Sequence, residues 1–354
     1  MKKFFDGGEY FVLTSYRIKT VPISVDNEVS LTLAKTICED ACYLSSSGNG
    51  QTAIEIYRSA GKKTGGRIHH LLTLRTHDSS EQDCVVRQEA LEKGILSLLY
   101  QSGFIAEEVS FEGYRKYISE MEADSIWALM KQDIKEYGVQ ETYKSPSVIE
   151  NVDWGRIYSV MDGSGCGLCI QIIPALLSDN ERRLIAENTA RCSQAVDGVV
   201  SNMRDSLAAS SAERWKYYSQ EVANPFAEVN IVIVGTVTSA ALVTARIKQS
   251  VHGTAFRTIG VPAYQKYSVY NQPWKLSRDL KRTDTASLSK WSLDDAAKIS
   301  QLPMQGNHFI GIDRNPFSLM PEVDLLPEKL TRNDRQSLYL GRSVYSSQRL
   351  FVPL

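Results

Sequence analysis

The sequence predicts an α+β protein with two ferredoxin-like α/β sandwich units and a long helix, followed by an irregular C-terminal segment with short β strands. First, residues 9–111 show the order strand, helix, strand, strand, helix, strand, which is the split βαβ arrangement. Second, strand and helix patterns alternate again after residue 150. Third, 43% apolar and 23% charged residues are typical of a globular chain, and 354 residues suffice for more than one core.

The first unit is predicted to occupy residues 1–145. Ser79 or Ser80 is a candidate N-cap of its second helix, and Gly103 is placed to end that helix. In chain order we predict a strand at Glu9–Val21, a helix at Leu31–Leu44, strands at Gln51–Ser59 and Arg67–Thr76, a helix ending at Tyr100 and a strand at Phe104–Phe111. A short helix over Ile126–Tyr137 then leads to a polar stretch that marks the boundary.

The second unit is predicted to occupy residues 146–262. Ser178 and Glu181 form an S-x-x-E capping box, the strongest helix-start signal in the chain. An apolar row then predicts one helix from Asp179 to about Tyr218, roughly 60 Å long at 1.5 Å per residue. The other predicted elements are a hairpin of Arg156–Met161 and Leu168–Ile173, a strand at Glu228–Gly235, a helix at Ser239–Val251 and a strand at Ala255–Val261.

The last predicted region, residues 263–354, begins with an extended loop and ends in short strands. Ser292 is a plausible N-cap of a short helix, Asp295 supports its first turn, and Pro303 ends it. Two β segments follow an irregular passage, at Ser337–Leu340 and Gln348–Val352. Because the sequence closes on an apolar strand, we expect that strand to lead into a further core.

This closing region resembles the end of the N-terminal region in ring-forming ATPases of the HerA/FtsK type, which include DNA-pumping and type IV secretion members. The matching positions are Asp295, Ala296, Ile299, Leu302, Pro303, Gly311, Leu340, Gly341, Val344 and the strand Leu350–Leu354. The resemblance implies a non-catalytic assembly and docking region. Its parent would be a hexameric ATPase that translocates DNA or protein, for example in phage defence or conjugation.

The sequence contains no Walker A phosphate-binding loop. Gly61-Lys62-Lys63-Thr64 lacks the upstream glycine and the required order, and the segment Gly163–Gly167 has no lysine and leads into a strand. No Gly-x-Ser-x-Gly elbow or H-E-x-x-H motif is present. We predict no catalytic residue, cofactor or metal in this chain. ATP and Mg²⁺ are expected only in the motor of the parent protein.

Cysteine spacing raises the question of zinc or redox chemistry. Cys166 and Cys169 form a lone C-x-x-C. A zinc site needs two further ligands at a suitable spacing, and a redox pair usually stands at a helix N-terminus, whereas Leu168–Ile173 has a strand pattern. We predict that the thiols are buried and take no part in chemistry.

Two basic segments are candidates for contact with a partner or with nucleic acid. One is the predicted hairpin tip with Lys62, Lys63 and Arg67. The other lies in the Tyr264–Lys290 loop, where basic and aromatic residues interleave, a pattern that suits phosphate contact and base stacking. Its candidate residues are Trp274, Lys275, Arg278, Lys281 and Arg282. Two aspartates in this loop partly cancel its charge, so packing or binding of a protein is the alternative.

Charge and hydropathy limit the remaining classes. The formal net charge is −1, which gives no general attraction to nucleic acid or membrane. No apolar run approaches the roughly 18–20 residues that span a bilayer. We expect a cytoplasmic homo-oligomer, a ring such as a hexamer, that binds a protein partner and, in one alternative, nucleic acid. A stand-alone scaffold or a nucleic-acid-binding module, each without a motor, are the alternative functions.

Overall fold

The computed structural model describes residues 1–21, 27–46, 50–60, 68–119, 125–137, 142–197, 206–261, 272–280, 288, 290–303, 337–342 and 349–353, and every element named below lies within these ranges. The chain is mixed α+β, as predicted. It divides into two compact units, Met1–Ile312 and Asp313–Leu354. All the strand pairs recorded in the described residues are antiparallel.

The first half contains the predicted ferredoxin-like arrangement. Its elements are β1 (Lys2–Asp6), β2 (Glu9–Thr20), α1 (Asn27–Ser46), β3 (Gln51–Ser59), β4 (His69–Asp78), α2 (Glu81–Gln101), β5 (Ile105–Val109) and α3 (Phe111–Ser119). The strands from β2 to β5 pair in the order β5-β2-β4-β3, the order of a ferredoxin-like sheet. Strand β1 and helix α3 lie outside that core and were not part of the prediction. β1 is joined to β2 by Gly7 and Gly8, whose φ angles of 61° and 89° favour glycine.

The second half repeats the same strand order. Its elements are β6 (Ser125–Tyr137), β7 (Thr142–Pro146), β8 (Asn151–Val152), α4 (Trp154–Met161), β9 (Gly167–Ala175), α5 (Asp179–Asp197), α6 (Ser206–Glu221), β10 (Phe226–Gly235), α7 (Val237–Ser250), β11 (Val251–His252) and β12 (Ala255–Gly260). Four of these strands pair in the order β12-β6-β10-β9. The two halves therefore share one layout, and β6 is the first strand of the second copy although it lies before residue 146.

Two elements of the second half differ from the prediction. The helix predicted over Ile126–Tyr137 is wrong: this segment is β6, which pairs with β10 on one side and β12 on the other. The strand predicted over Arg156–Met161 is also wrong, because this segment belongs to α4. Asp153 caps α4 by accepting a hydrogen bond from the Arg156 backbone N–H at 3.1 Å.

The prediction of one helix from Asp179 to Tyr218 is wrong. Helices α5 and α6 lie side by side, and the Thr189 hydroxyl on α5 donates to the Trp215 carbonyl on α6 at 3.2 Å. Residues this far apart along one continuous helix would be separated by about 39 Å. The predicted start of α5 is confirmed: the Ser178 backbone N–H donates to Glu181 at 2.8 Å, and the Glu181 N–H donates back to Ser178 at 3.3 Å.

One continuous sheet joins the two halves through their second strands. β3 pairs with β9 from Ile54 opposite Ile172 to Ser59 opposite Gly167. On one face of this sheet, alternate residues such as Ile54 and Ile56 pack against α1 and α2, and Ile170 and Ile231 pack against α4 and α7. The other, second face carries a further apolar cluster, which includes Cys169 and Val232.

The described residues after β12 include two helices and a short strand within the first unit. They are α8 (Gln272–Leu280), β13 (Trp291–Ser292) and α9 (Leu293–Ser300). The extended loop predicted over Tyr264–Lys290 is therefore wrong where α8 forms. The predicted N-cap is confirmed, because Ser292 Oγ accepts from the Asp295 backbone N–H at 3.2 Å. Helix α9 packs against α1 and β10.

The second compact unit contains a hairpin of β14 (Ser337–Arg342) and β15 (Arg349–Pro353). Both strands were predicted. Leu340 and Gly341, two of the positions that carry the family resemblance, lie within β14, where the pairing register shifts between Tyr339 and Gly341. Gly311 and Val344, which also carry the family resemblance, fall outside the described residues.

Candidate functional site

The eight residues predicted to contact a partner divide into two groups. Trp274, Lys275 and Arg278 lie on α8. The other five are outside the described residues; they are Lys62, Lys63, Arg67, Lys281 and Arg282. Of the three on α8, Trp274 and Arg278 line one cleft at the ends of the central strands of the sheet. They are four residues apart, so they project from the same side of the helix.

Helix α8 is fixed to the second face of the sheet by apolar and polar contacts. Leu276 is fully buried in the core between α8 and strands β9 and β10. The Asn230 side-chain amide donates to the Pro273 carbonyl at 3.0 Å, and the Ser277 hydroxyl donates to Glu228. These contacts place the N-terminal part of α8 beside the ends of β4 and β10.

An aromatic group lies where α8 meets β2 and β4. The Trp274 and His77 ring centroids are 4.6 Å apart in an edge-to-face arrangement, and Phe11 lies 5.5 Å from His77 and 6.0 Å from Trp274. His77 also contacts Gln51, with 3.1 Å between Nε2 and Oε1. Burial lowers the pKa of His77, and this exceeds the opposing effect of Glu9, whose carboxylate lies 3.5 Å from Nδ1. The imidazole is therefore neutral at pH 7, and its ring packs as an aromatic surface.

The cleft has a volume of about 1080 Å³ and is built from distant parts of the chain. The β1–β2 turn, the C-terminal turns of α1, the start of β3, the ends of β4 and β9, the start of β10 and α8 all contribute. Its lining includes five carboxylates: Asp6, Glu9, Glu39, Asp40 and Glu228. Arg278 and Lys290 are the cations in the same lining. With His77 neutral, five negative against two positive charges leave the lining with a net charge of −3.

Two exposed apolar side chains stand in this lining. Tyr43 near the end of α1 is 77% exposed, and Leu176 after β9 is 71% exposed. The backbone carrying Leu176 is held in place, because the Lys290 ammonium donates to the Leu176 carbonyl at 2.7 Å and to Glu181 at 2.5 Å. Burial acts to raise the pKa of Glu181, but the hydrogen bonds from Lys290 and Ser178 outweigh it and lower that pKa.

A buried polar row crosses the same face of the sheet beside the cleft. Cross-strand pairing aligns five polar residues from β2 to β10; they are Ser15, Thr73, Glu55, Gln171 and Asn230. Glu55 is the centre of the row. It accepts from the Gln171 amide at 2.8 Å and the Tyr114 hydroxyl at 2.9 Å, and lies 3.3 Å from Arg75.

The polar row stabilises the sheet and is closed to solvent. Glu55, Arg75 and Tyr114 are each fully buried. Burial raises the pKa of Tyr114 well above its ordinary value, so its hydroxyl stays protonated and donates to Glu55. The Glu55 carboxylate makes its hydrogen bonds to buried neighbours. It therefore helps to fix the strand register and is not accessible to a substrate.

The cysteines do not form a reactive site. All six are free and buried, as predicted from the sequence. Cys166 and Cys169 lie in different core clusters, since one faces α4 and α7 and the other faces α8. Burial raises the pKa of Cys166 to about 11 and that of Cys38 to about 12, so both are thiols at neutral pH. Within the described ranges, no three His, Cys, Asp or Glu side chains come close enough together to hold a metal ion.

Comparison with known proteins adds no family. No protein-family model matches the sequence, and a search of curated proteins gives no match. The helices of the described ranges include none with the length and apolar character needed to cross a bilayer.

Most of the cleft could not be found by sequence reasoning. Trp274 and Arg278 were identified because basic and aromatic residues interleave in their segment. Tyr43 gave a weaker signal, since it is a large aromatic residue off the apolar side of its helix. The carboxylates gave none, because single acidic residues at element ends are common in any globular chain.

Proposed function

We propose that this chain is a non-catalytic assembly and docking region of a HerA/FtsK-type ring ATPase. The observation that carries the proposal is the division of the chain. The residues of the resemblance from Leu340 onward fall in the compact unit Asp313–Leu354, whereas those from Asp295 to Pro303 belong to the unit Met1–Ile312. A lead-in to a motor and a platform that precedes it would have this division.

Two further features support a docking role. The platform is one antiparallel sheet shared by both ferredoxin-like halves, which is a rigid base for subunit contacts. Its cleft carries exposed apolar side chains and excess negative charge, features that suit a partner more than a reaction. The motor, with ATP and Mg²⁺, and the translocated DNA or protein belong to the parent assembly in this proposal.

Oligomeric state is the first test. Light scattering after gel filtration at micromolar concentration should give a mass several times the 39.6 kDa of one chain. A strict monomer under these conditions contradicts the ring. The chain itself should neither bind nor hydrolyse ATP with Mg²⁺, and measurable turnover contradicts the non-catalytic role.

The gene gives a second and independent test. The proposal predicts a Walker A motif encoded downstream of codon 354 or in a chain that copurifies as a stoichiometric partner. If neither exists, the stand-alone scaffold becomes the better explanation. The nucleic-acid-binding alternative is less favoured at α8, because Trp274 and Arg278 line a cleft whose net charge repels a phosphate backbone.

A further inference from the structure

The two most exposed large hydrophobic side chains in the described part of the chain are in the same cleft. Tyr43 and Leu176, at 77% and 71% exposure, exceed Phe5 at 63% and every other large hydrophobic residue that is described and exposed. They come from different halves of the protein, since Tyr43 is on α1 and Leu176 follows β9. Exposed apolar residues that converge within a concave, polar surface are a mark of a binding site.

The charge of the cleft selects the kind of partner. Glu9 and Glu39 are exposed, and Asp6 and Asp40 are partly exposed. Of the two cations in the lining, Lys290 is already engaged by Glu181 and by the Leu176 carbonyl. The field in the cleft is therefore negative and attracts a cationic group while repelling an anionic one.

We propose that this cleft binds a basic segment of a protein partner, which places Lys or Arg side chains among the carboxylates and an apolar side chain between Tyr43 and Leu176. Trp274 and His77, which are partly exposed and pack beside buried Phe11, add an aromatic surface to which a guanidinium or ammonium group is attracted. A small polyamine would satisfy the charges but would leave both apolar residues without a contact.

This site is independent of ring formation and of any motor. Its walls belong to the unit Met1–Ile312 alone. The chain could bind a basic segment as a monomer, or form a ring without binding one. A failed peptide-binding experiment would thus remove the cleft as support for docking without contradicting the ring, and a monomeric mass would not contradict the cleft.

The test uses the full chain and three defined probes. The first is a fluorescein-labelled peptide, Gly-Lys-Leu-Arg-Ser-Leu-Lys-Gly, whose binding is followed by fluorescence anisotropy. The second is a twin peptide with Glu at each Lys and Arg, and the third is unlabelled spermine as a competitor. We expect the basic peptide to bind and its acidic twin not to bind. Added salt should weaken this binding. Spermine at the same concentration of positive charge should displace little of the peptide.

Charge variants test the carboxylates. Replacing Glu9, Glu39 and Asp40 by Gln, Gln and Asn should weaken binding of the basic peptide about tenfold or more. A matched control removes the same number of exposed carboxylates outside the cleft lining: Glu112→Gln, Asp162→Asn and Glu213→Gln. This control should bind as the unaltered chain does. If it weakens binding equally, general charge and not the cleft attracts the peptide, and the proposal is wrong.

Apolar variants test the other half of the proposal. Tyr43→Ser with Leu176→Ser should weaken binding roughly fivefold or more, since both apolar contacts with the peptide are lost. The control is Val86→Ser with Leu242→Ser, two residues that are 57% and 56% exposed elsewhere. Because all four side chains are exposed, folding should be unaffected. Absence of peptide binding at about 1 mM chain, equal binding of the acidic twin, or full displacement by spermine would each overturn the proposal.

Discussion

The ammonium group of Lys131 on β6 lies 3.5 Å from the Oδ2 atom of Asp295 on α9, and both side chains are buried. Asp295 also accepts the Ile149 backbone N–H at 2.9 Å and the Tyr218 hydroxyl at 3.1 Å. Burial raises the pKa of Asp295, while Lys131 and these hydrogen bonds oppose the rise. One carboxylate therefore connects α9 to β6, to α6 and to the backbone before β8.

We predict that Lys131→Met lowers the free energy of unfolding by about 3–5 kcal/mol, because it leaves the Asp295 carboxylate buried without its cation. Urea denaturation at neutral pH measures this change. The exposed Lys248→Met on α7 is the control and should change stability by less than about 0.5 kcal/mol. A double variant, Lys131→Met with Asp295→Asn, should recover part of the loss. If the double variant is as unstable as the sum of the single ones, the two residues are not coupled.

His70 makes stability depend on pH. It is fully buried, and burial lowers its pKa well below the ordinary value, with Arg58 acting in the same direction. The unfolded chain, where the pKa is about 6.5, therefore binds a proton that the folded chain does not. The contribution of His70 to the free energy of unfolding is therefore fully present above about pH 6.5. It decreases on acidification by up to about 1.4 kcal/mol per pH unit.

The variant His70→Gln should show a smaller loss of stability than the unaltered chain between about pH 7.5 and about pH 5.5. Tyr158→Phe is the control. It removes the hydroxyl that lies 3.2 Å from His70 Nε2 but keeps the histidine, so the pH dependence should persist. Denaturation curves at both pH values measure the free energy of unfolding. Equal losses in His70→Gln and in the unaltered chain would show that His70 is not responsible for the pH dependence.

Gly50 is required by close packing at the start of β3. A Cβ atom there would lie 2.8 Å from the His77 carbonyl and 2.7 Å from Arg87 Nε, and would also meet Asp78. Gly50→Ala should therefore cost about 1–3 kcal/mol. At Gly260 an added Cβ meets nothing within 4 Å, so Gly260→Ala should leave the melting temperature nearly unchanged. Equal melting temperatures for the two variants would refute the packing explanation.

Lys290 should contribute more to stability than an exposed ion pair does. Lys290→Gln loses charged hydrogen bonds to Leu176 and Glu181, which predicts a loss of about 1.5–3 kcal/mol at neutral pH. Arg183→Gln removes an exposed pair with Glu187 at 3.7 Å and should cost at most about 0.5 kcal/mol.

Acid should remove the effect of Lys290. The pKa of Glu181 is lowered in the folded chain, so its contribution is present above the ordinary glutamate pKa, about 4.3, and is lost as pH falls through the folded value. The difference between Lys290→Gln and the unaltered chain should therefore shrink below about pH 4. A difference that stays constant down to about pH 3 would mean that Glu181 is not the partner that matters.

Local sequence signals predict an element correctly where its structure depends only on residues within that element. The S-x-x-E box at Ser178 and the cap at Ser292 depend on residues three positions apart, and both form as predicted. The order of strands in the first half followed from periodicity alone. For α4, the sequence does contain a helix signal: Asp153 precedes buried Trp154, Ile157, Tyr158 and Met161, which have helical spacing.

Other elements depend on partners that the sequence does not reveal. Residues 126–137 carry apolar side chains at spacings that also suit a helix, and pairing with β10 and β12 makes them a strand. Helices α5 and α6 are two separate elements, although the apolar row of the sequence continues from one into the other. The cleft combines Tyr43 with Leu176, which are 133 positions apart in the sequence, and no periodicity indicates that they meet.

The ladder between β3 and β9 determines how a ligand would meet the cleft. Tyr43 lies on α1 and Leu176 follows β9, and the pairing of β3 with β9 from Ile54 opposite Ile172 to Ser59 opposite Gly167 joins the two halves that carry them. This backbone pairing limits movement of the two halves relative to each other, so we expect no hinge-like opening and closing around a ligand. Ligand selectivity would then depend on complementarity to a cleft of nearly constant shape.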